Sequence, residues 1–237
     1  MKNYKVDQAI IMAAGFGSRL VPLTYDTPKG LLKVHGEPMV ERQIKQLKEV
    51  GVDDITIVVG YLKESFDYLC DKYGVKLLYN PDYASKNNLS TIYHALPLLI
   101  GKSSYILSSD NWIRENIFHP YEDRSWYCSV YMKGATSEWC LDYDENDKIT
   151  AVSIGGYDSF VMYGPVFLSK DFSKKFCKYV AEYYNRADSD DFYWEQLLID
   201  SLAGKITLDD IYINKQKDDV VYEFENLEEL REFDPSY

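Results

Sequence analysis

Continuous apolar runs alternate with amphipathic ones through the first half of the chain. "QAIIMAA" (8–14), "DITIVVG" (54–60), "VKLLYN" (75–80) and "SYILSSD" (104–110) read as strands buried on both faces. Between them, "MVERQIKQLKEVG" (39–51) puts Met39, Ile44, Leu47 and Val50 on one helical stripe and closes on Gly51. "KESFDYLCDKYG" (63–74) also ends on glycine, and "STIYHALPLLIG" (90–101) is helical. This β-α-β-α rhythm predicts an α/β fold with a mostly parallel sheet covered by helices.

The second half is richer in strands. "WYCSVYMKG" (126–134), "CLDYDENDKITAVSI" (140–154) and "SFVMYGPVFLS" (159–169) read as three strands joined by turns. Two helices follow, "KDFSKKFCKYVAEYYNR" (170–186) and "DDFYWEQLLIDSLAG" (190–204). A strand "DIYINK" (210–215) and a strand-plus-helix "VVYEFENLEELREF" (220–233) come last. With no repeat or low-complexity linker, residues 1–237 read as one domain whose second half adds a lid-like elaboration.

Composition narrows the class of partner. A net charge of −12 argues against a nucleic-acid surface or an anionic membrane, though it leaves room for a small basic pocket. No apolar run is long enough to span a bilayer, and no signal peptide precedes Ala9. Cys70, Cys128, Cys140 and Cys177 are scattered, so reduced thiols in a cytoplasmic protein are expected. Aromatic residues reach 15%, which asks for cores or sites built from rings with polar tips.

The chemistry concentrates in "AIIMAAGFGSRLVPLTYDTPKGLLKV" (9–34), where a buried strand runs into a glycine turn. A dinucleotide fingerprint would need a third glycine at Leu20, and the G-x-x-x-x-G-K-[ST] loop is absent. What remains is a turn whose backbone N–H groups at Gly15 and Gly17 can approach a phosphate or base closely. Arg19 adds a planar fork and Lys29 a point charge, on a segment stiffened by Pro22 and Pro28. Asp110 ends an apolar strand, the edge where α/β sheets bind ligands, although a strand-end cap would use the same residue. Glu223 and Glu225, at spacing two, would share one face of a strand, with Asn226 and Glu229 as a capping pair behind them. Trp194, Leu197, Leu198 and Leu202 fall on one helical stripe, so Trp194 suits a core as well as a site.

The run from Ala13 to Lys33 resembles the signature of nucleotidyltransferases that couple a nucleoside triphosphate to a phosphorylated small molecule. Over most of the chain the sequence is similar to bacterial CTP:phosphocholine cytidylyltransferases. The similarity includes "VGYLKESFDYLCDKYGVKLLYN", "NN" at Asn87–Asn88, "SSDNW", "TSEWCLDY", "FYWEQ" and "YEFENLEELRE". It implies a Rossmann-like nucleotidyltransferase fold with a mixed, mostly parallel sheet and a small acceptor-binding elaboration. Gly15, Gly17 and Arg19 would wrap the triphosphate, and Lys29 would serve the reacting phosphates. Backbone groups around Ala13 and Ala14, with Asn87, Asn88, Ser90 and Thr91, would lie near the pyrimidine. Asp110 would hold Mg²⁺ with Glu225, or with Glu223 as second choice or helper. Trp139, Tyr193 and Trp194 would cage a choline group, with Asp191 as countercharge.

The reaction so implied joins CTP and phosphocholine into CDP-choline and pyrophosphate. The same core could serve 2-aminoethylphosphonate, phosphoethanolamine or a sugar-1-phosphate, and a nucleotide-binding regulatory module without turnover is a further alternative. Some similar enzymes continue into a choline kinase-like domain, so a fused kinase in a longer polypeptide is also an expectation.

Overall fold

The computed structural model describes residues 3–237. The main strands are β1 (Gln8–Ala13), β2 (Ile55–Val59), β3 (Lys76–Tyr79), β4 (Ser104–Ser108), β5 (Asn111–Ile113), β6 (Trp126–Tyr143), β7 (Ile149–Leu168), β8 (Tyr212–Gln216) and β9 (Val221–Glu223). The α-helices are α1 (Met39–Glu49), α2 (Tyr68–Tyr73), α3 (Leu89–Leu99), α4 (Lys170–Tyr184), α5 (Gln196–Leu202) and α6 (Leu227–Phe233). Seven strands form one sheet in the order β8-β6-β7-β4-β1-β2-β3. Only β7 runs against the others, pairing antiparallel with β4 and β6, so the sheet is mixed but mostly parallel.

Apolar residues on both faces of β1 and β2 explain their unbroken hydrophobic runs. Ile11 and Ile57 pack with Ile44 and Leu47 of α1 on one side. Ile10 and Val58 pack with Ile92 of α3 and Phe172 and Phe176 of α4 on the other. A third cluster, with Leu20, Leu32, Met39, Trp112, Phe224 and Leu230, ties the loop after β1 to the C-terminal strand and helix. Helix α6 starts on the capping pair foreseen from sequence: Asn226 Oδ1 accepts from the Glu229 N–H at 3.0 Å.

Two local expectations are corrected. The three strands foreseen over 126–169 are two long ones, β6 and β7, whose hairpin turn falls inside "DENDK" (144–148). Register shifts along the pair bend this ribbon, and Gly134 and Gly155 within it have positive φ. The helix foreseen from residue 190 begins only at Gln196. Residues 190–194 spend hydrogen bonds on the segment before α3: Asn87 N donates to the Asp190 carbonyl at 2.7 Å, and Leu89 N donates to the Phe192 carbonyl at 3.3 Å. Two loops distant in sequence are thereby zipped together.

Candidate active site

After β1 the chain turns through Gly15 and Gly17 at the carboxyl edge of the sheet. Gly17 has φ +69°, and a Cβ there would stand 3.1 Å from Lys29 Cβ. Thr24 Oγ1 donates to the Gly17 carbonyl at 3.0 Å, fastening the first arm of the loop to the second. Gly30 is tighter still, because a Cβ would lie 2.6 Å from Ser109 Cβ. That close approach presses the lysine-bearing turn against the end of β4, where Lys29 Nζ meets Asp110 Oδ2 at 2.6 Å.

A cleft of about 370 Å³ opens over this junction. Ala13, Ala14, Gly15 and Gly17 line it, together with Arg19 and Lys29. Asn87, Asn88 and Thr91 line it from the segment before α3 and its first turn, and Tyr193 joins them from the loop before α5. Ser90 does not reach it: its hydroxyl is buried, donating to the Asn87 carbonyl and accepting from Asn80 Nδ2, both at 2.9 Å. Ser90 shapes the loop instead.

The carboxylates in the cleft are Asp110 and Glu223. Glu223 ends β9 opposite Asn111 of β5, whose Nδ2 donates to Glu223 Oε2 at 3.2 Å. Burial, and then the negative charge of Asp110, push the Glu223 carboxyl above its usual range, with Lys29 pulling the other way. Glu225 is placed differently. The strand stops at Glu223, so the two glutamates do not share a strand face as expected. Glu225 instead pairs with Arg19 and, unlike Glu223, is not among the residues lining the cleft. Of the two metal candidates, Glu223 is therefore the one that faces Asp110.

The aromatic candidates also separate. Trp139 on β6 and Tyr193 meet edge to face, with centroids 5.7 Å apart and planes at 76°. Trp194 is a core residue at 1% exposure, stacked on Tyr127 at 5.9 Å and edge-on to Phe176 at 5.5 Å. Lying just before α5, it packs inward with Leu197 and Leu198, which removes it from the cage. Asp191 is exposed and is not among the residues lining the cleft; its carbonyl accepts from Asn87 Nδ2 at 3.4 Å.

Comparison with known proteins then settles the family. The profile of the MobA-like NTP transferase domain matches residues 9–113. The choline-phosphate cytidylyltransferase of Streptococcus pneumoniae (strain ATCC BAA-255 / R6) is 35% identical over 227 residues, 96% of each chain. The 2-aminoethylphosphonate cytidylyltransferase of Lancefieldella rimae is 36% identical over 237 residues, 99% of this chain and 95% of the relative. The chain belongs to this family of cytidylyltransferases. The solved CTP:phosphocholine cytidylyltransferase of S. pneumoniae matches at TM-score 0.91 and 35% identity, covering 98% of this chain and 99% of that one.

Three features of this cytidylyltransferase were not singled out from its sequence. Lys86 lines the cleft as a third cation, held by Asp190 at 2.6 Å and by Ser189 Oγ at 2.9 Å. Tyr83 also lines it, and a Cβ on Gly60 would collide with the Tyr83 side chain, so that glycine seats the tyrosine. Glu195 is buried behind the cleft, where burial raises its carboxyl pKa to about 7. The "KNN" and "YWEQ" strings contain two of these residues, but nothing in their spacing shows that the two loops touch. Among the described residues no helix is long and apolar enough to cross a membrane.

Proposed function

We propose that this cytidylyltransferase joins CTP to phosphocholine, giving CDP-choline and pyrophosphate. The observation that carries the acceptor assignment is the Trp139–Tyr193 ring pair, with Tyr193 in the cleft wall. A quaternary ammonium cannot donate a hydrogen bond, and ring faces bind it at about 0.5–2 kcal/mol each. A phosphocholine oxygen attacks the α-phosphorus, the bond to the β-phosphate oxygen breaks, and pyrophosphate leaves with the electron pair. That oxygen is already anionic near neutral pH, so positioning and charge neutralisation do the work without a general base.

Each residue has a part in that geometry. The turn at Ala13–Gly17 offers backbone N–H groups to the triphosphate, and Lys29, seated by Gly30, holds the reacting phosphates. Arg19 is exposed and reaches the outer phosphates by giving up Glu225. Asn87, Asn88 and Thr91 stand near the base. Mg²⁺ would suit the carboxylate pair: burial, and then the charge of Asp110, raise the Glu223 carboxyl, and a nearby cation would offset both effects. Asp110 and Glu223 are the residues that would hold Mg²⁺, and the ion would supply neutralisation of phosphate charge.

The same cleft could take a primary amine, the acceptor class of the L. rimae relative. The test is pyrophosphate release from CTP and Mg²⁺ with phosphocholine, phosphoethanolamine, 2-aminoethylphosphonate and glucose-1-phosphate. Turnover with phosphocholine in clear preference supports the reading. Preference for an amine or a sugar replaces the acceptor and keeps the transferase core.

A further inference from the structure

Among the described residues four acidic residues are buried: Glu41, Glu195, Asp200 and Asp234. Glu41 accepts from Lys72 Nζ at 2.7 Å, and Asp200 accepts from Lys205 Nζ at 2.8 Å. Asp234 faces the His35 ring and accepts from the His35 backbone N–H at 2.6 Å. Of these four, Glu195 alone has no cationic side chain within ion-pair reach. Its partners are neutral donors: the Tyr127 hydroxyl to Oε1 at 3.2 Å and Asn88 Nδ2 to Oε2 at 3.4 Å. Both donors favour the ionised form, yet neither neutralises it, and burial pulls against that charge. A glutamine could accept from the same donors without the cost of a buried charge. The carboxylate is therefore arranged for a cation that the protein itself does not provide.

Its place says where that cation would come from. Asn88 lines the cleft, so the carboxylate lies one side chain behind the cleft wall. Tyr193, two residues earlier, is the ring that lines the cleft and meets Trp139. Asn88 Oδ1 also accepts from the Trp194 N–H at 2.8 Å, so one side chain fixes both the ring-bearing loop and Glu195. A quaternary ammonium against Tyr193 needs no direct contact with a carboxylate, because charge acts through several ångströms of low-dielectric protein.

We propose that Glu195 supplies the negative charge that selects a cationic head group on the acceptor, acting from behind the Tyr193 and Asn88 wall. This rests on the ring pair binding the acceptor's head group, as argued above. Glu195 takes the role that sequence had placed on Asp191, and it determines specificity without touching the reacting phosphates.

The experiment compares phosphocholine with its neutral isostere, 3,3-dimethylbutyl phosphate, in the wild type and in Glu195→Gln. The two esters differ in one charge, so the ratio of their kcat/KM values cancels effects on folding, CTP binding and phosphate ionisation. In the wild type phosphocholine should be preferred. Glu195→Gln should lower that preference by about 10-fold or more, the size of one charge interaction of about 1.4 kcal/mol. Glu195→Asp should recover part of it. An unchanged ratio in Glu195→Gln, whether both esters fall together or neither falls, overturns the proposal. A wild type that takes both esters equally, or neither, overturns the cationic-acceptor reading and the proposal with it. Should Glu195→Gln fail to fold, Tyr127→Phe removes one donor to the carboxylate without altering the cleft lining. It should shift the ratio in the same direction by a smaller factor, and an unchanged ratio there counts equally against Glu195.

Discussion

Replacing Glu195 with glutamine should raise the melting temperature at pH 8 relative to the wild type by more than it does at pH 5. The carboxyl has a pKa near 4.5 in an unfolded chain and about 7 when buried in the fold. Between those values the folded state keeps a proton that the unfolded state has released, so stability falls as pH rises through that window. Below pH 4.5 the contribution is fully present, and above pH 7 it is gone. The loss between pH 5 and pH 8 amounts to about 2–3 kcal/mol. Glutamine does not titrate, and any fixed cost of its altered hydrogen bonds is the same at both pH values. Glu223 titrates in both proteins, so its effect cancels in the difference. For a chain of this size about 1 kcal/mol moves the melting temperature by roughly 2–4 °C, so the gap should widen by roughly 4–12 °C. Calorimetric or dichroism melts at several pH values, without substrates, measure it. Parallel curves, or a gap that narrows with pH, would refute a buried carboxylate held without a countercharge.

Trp194→Ala should destabilise the fold by about 3–5 kcal/mol in denaturant titrations. Tyr193→Ala should instead leave stability near wild type and raise the KM for phosphocholine by roughly 2- to 30-fold. Glu223→Gln should increase the Mg²⁺ concentration for half-maximal rate by about 10-fold, whereas Glu225→Gln should change it less than about 2-fold; the reverse order would return the metal to Glu225. Gly30→Ala forces apart the Lys29 turn and Ser109, costing about 1–3 kcal/mol of stability and lowering kcat by at least about 10-fold as Lys29 is displaced.

The opening strand, the glycine turn, Lys29 and Asp110 were all legible from sequence because their signals are local. A doubly buried strand needs an unbroken apolar run, and a turn that approaches its ligand closely needs glycine. The ring pair was half legible: Trp139 and Tyr193 do meet, but Trp194, a neighbour in sequence, turns into the core. One position along an irregular loop reverses the direction of a side chain, and no periodicity reports it. The expectation that Glu223 and Glu225 share a strand face failed in a similar way, since that rule holds only while the strand lasts and this strand ends at the first of them.

By itself the sequence determined the α/β class, the mostly parallel sheet and the glycine turn after the first strand, since periodicity and backbone freedom are written residue by residue. Only the tertiary structure decided which carboxylate faces Asp110, that Lys86 enters the cleft, and that Glu195 is buried behind it without a cation. Those facts depend on two loops, 86–89 and 190–195, zipping together across a long stretch of chain. The charge environment of a side chain is set by everything that packs around it.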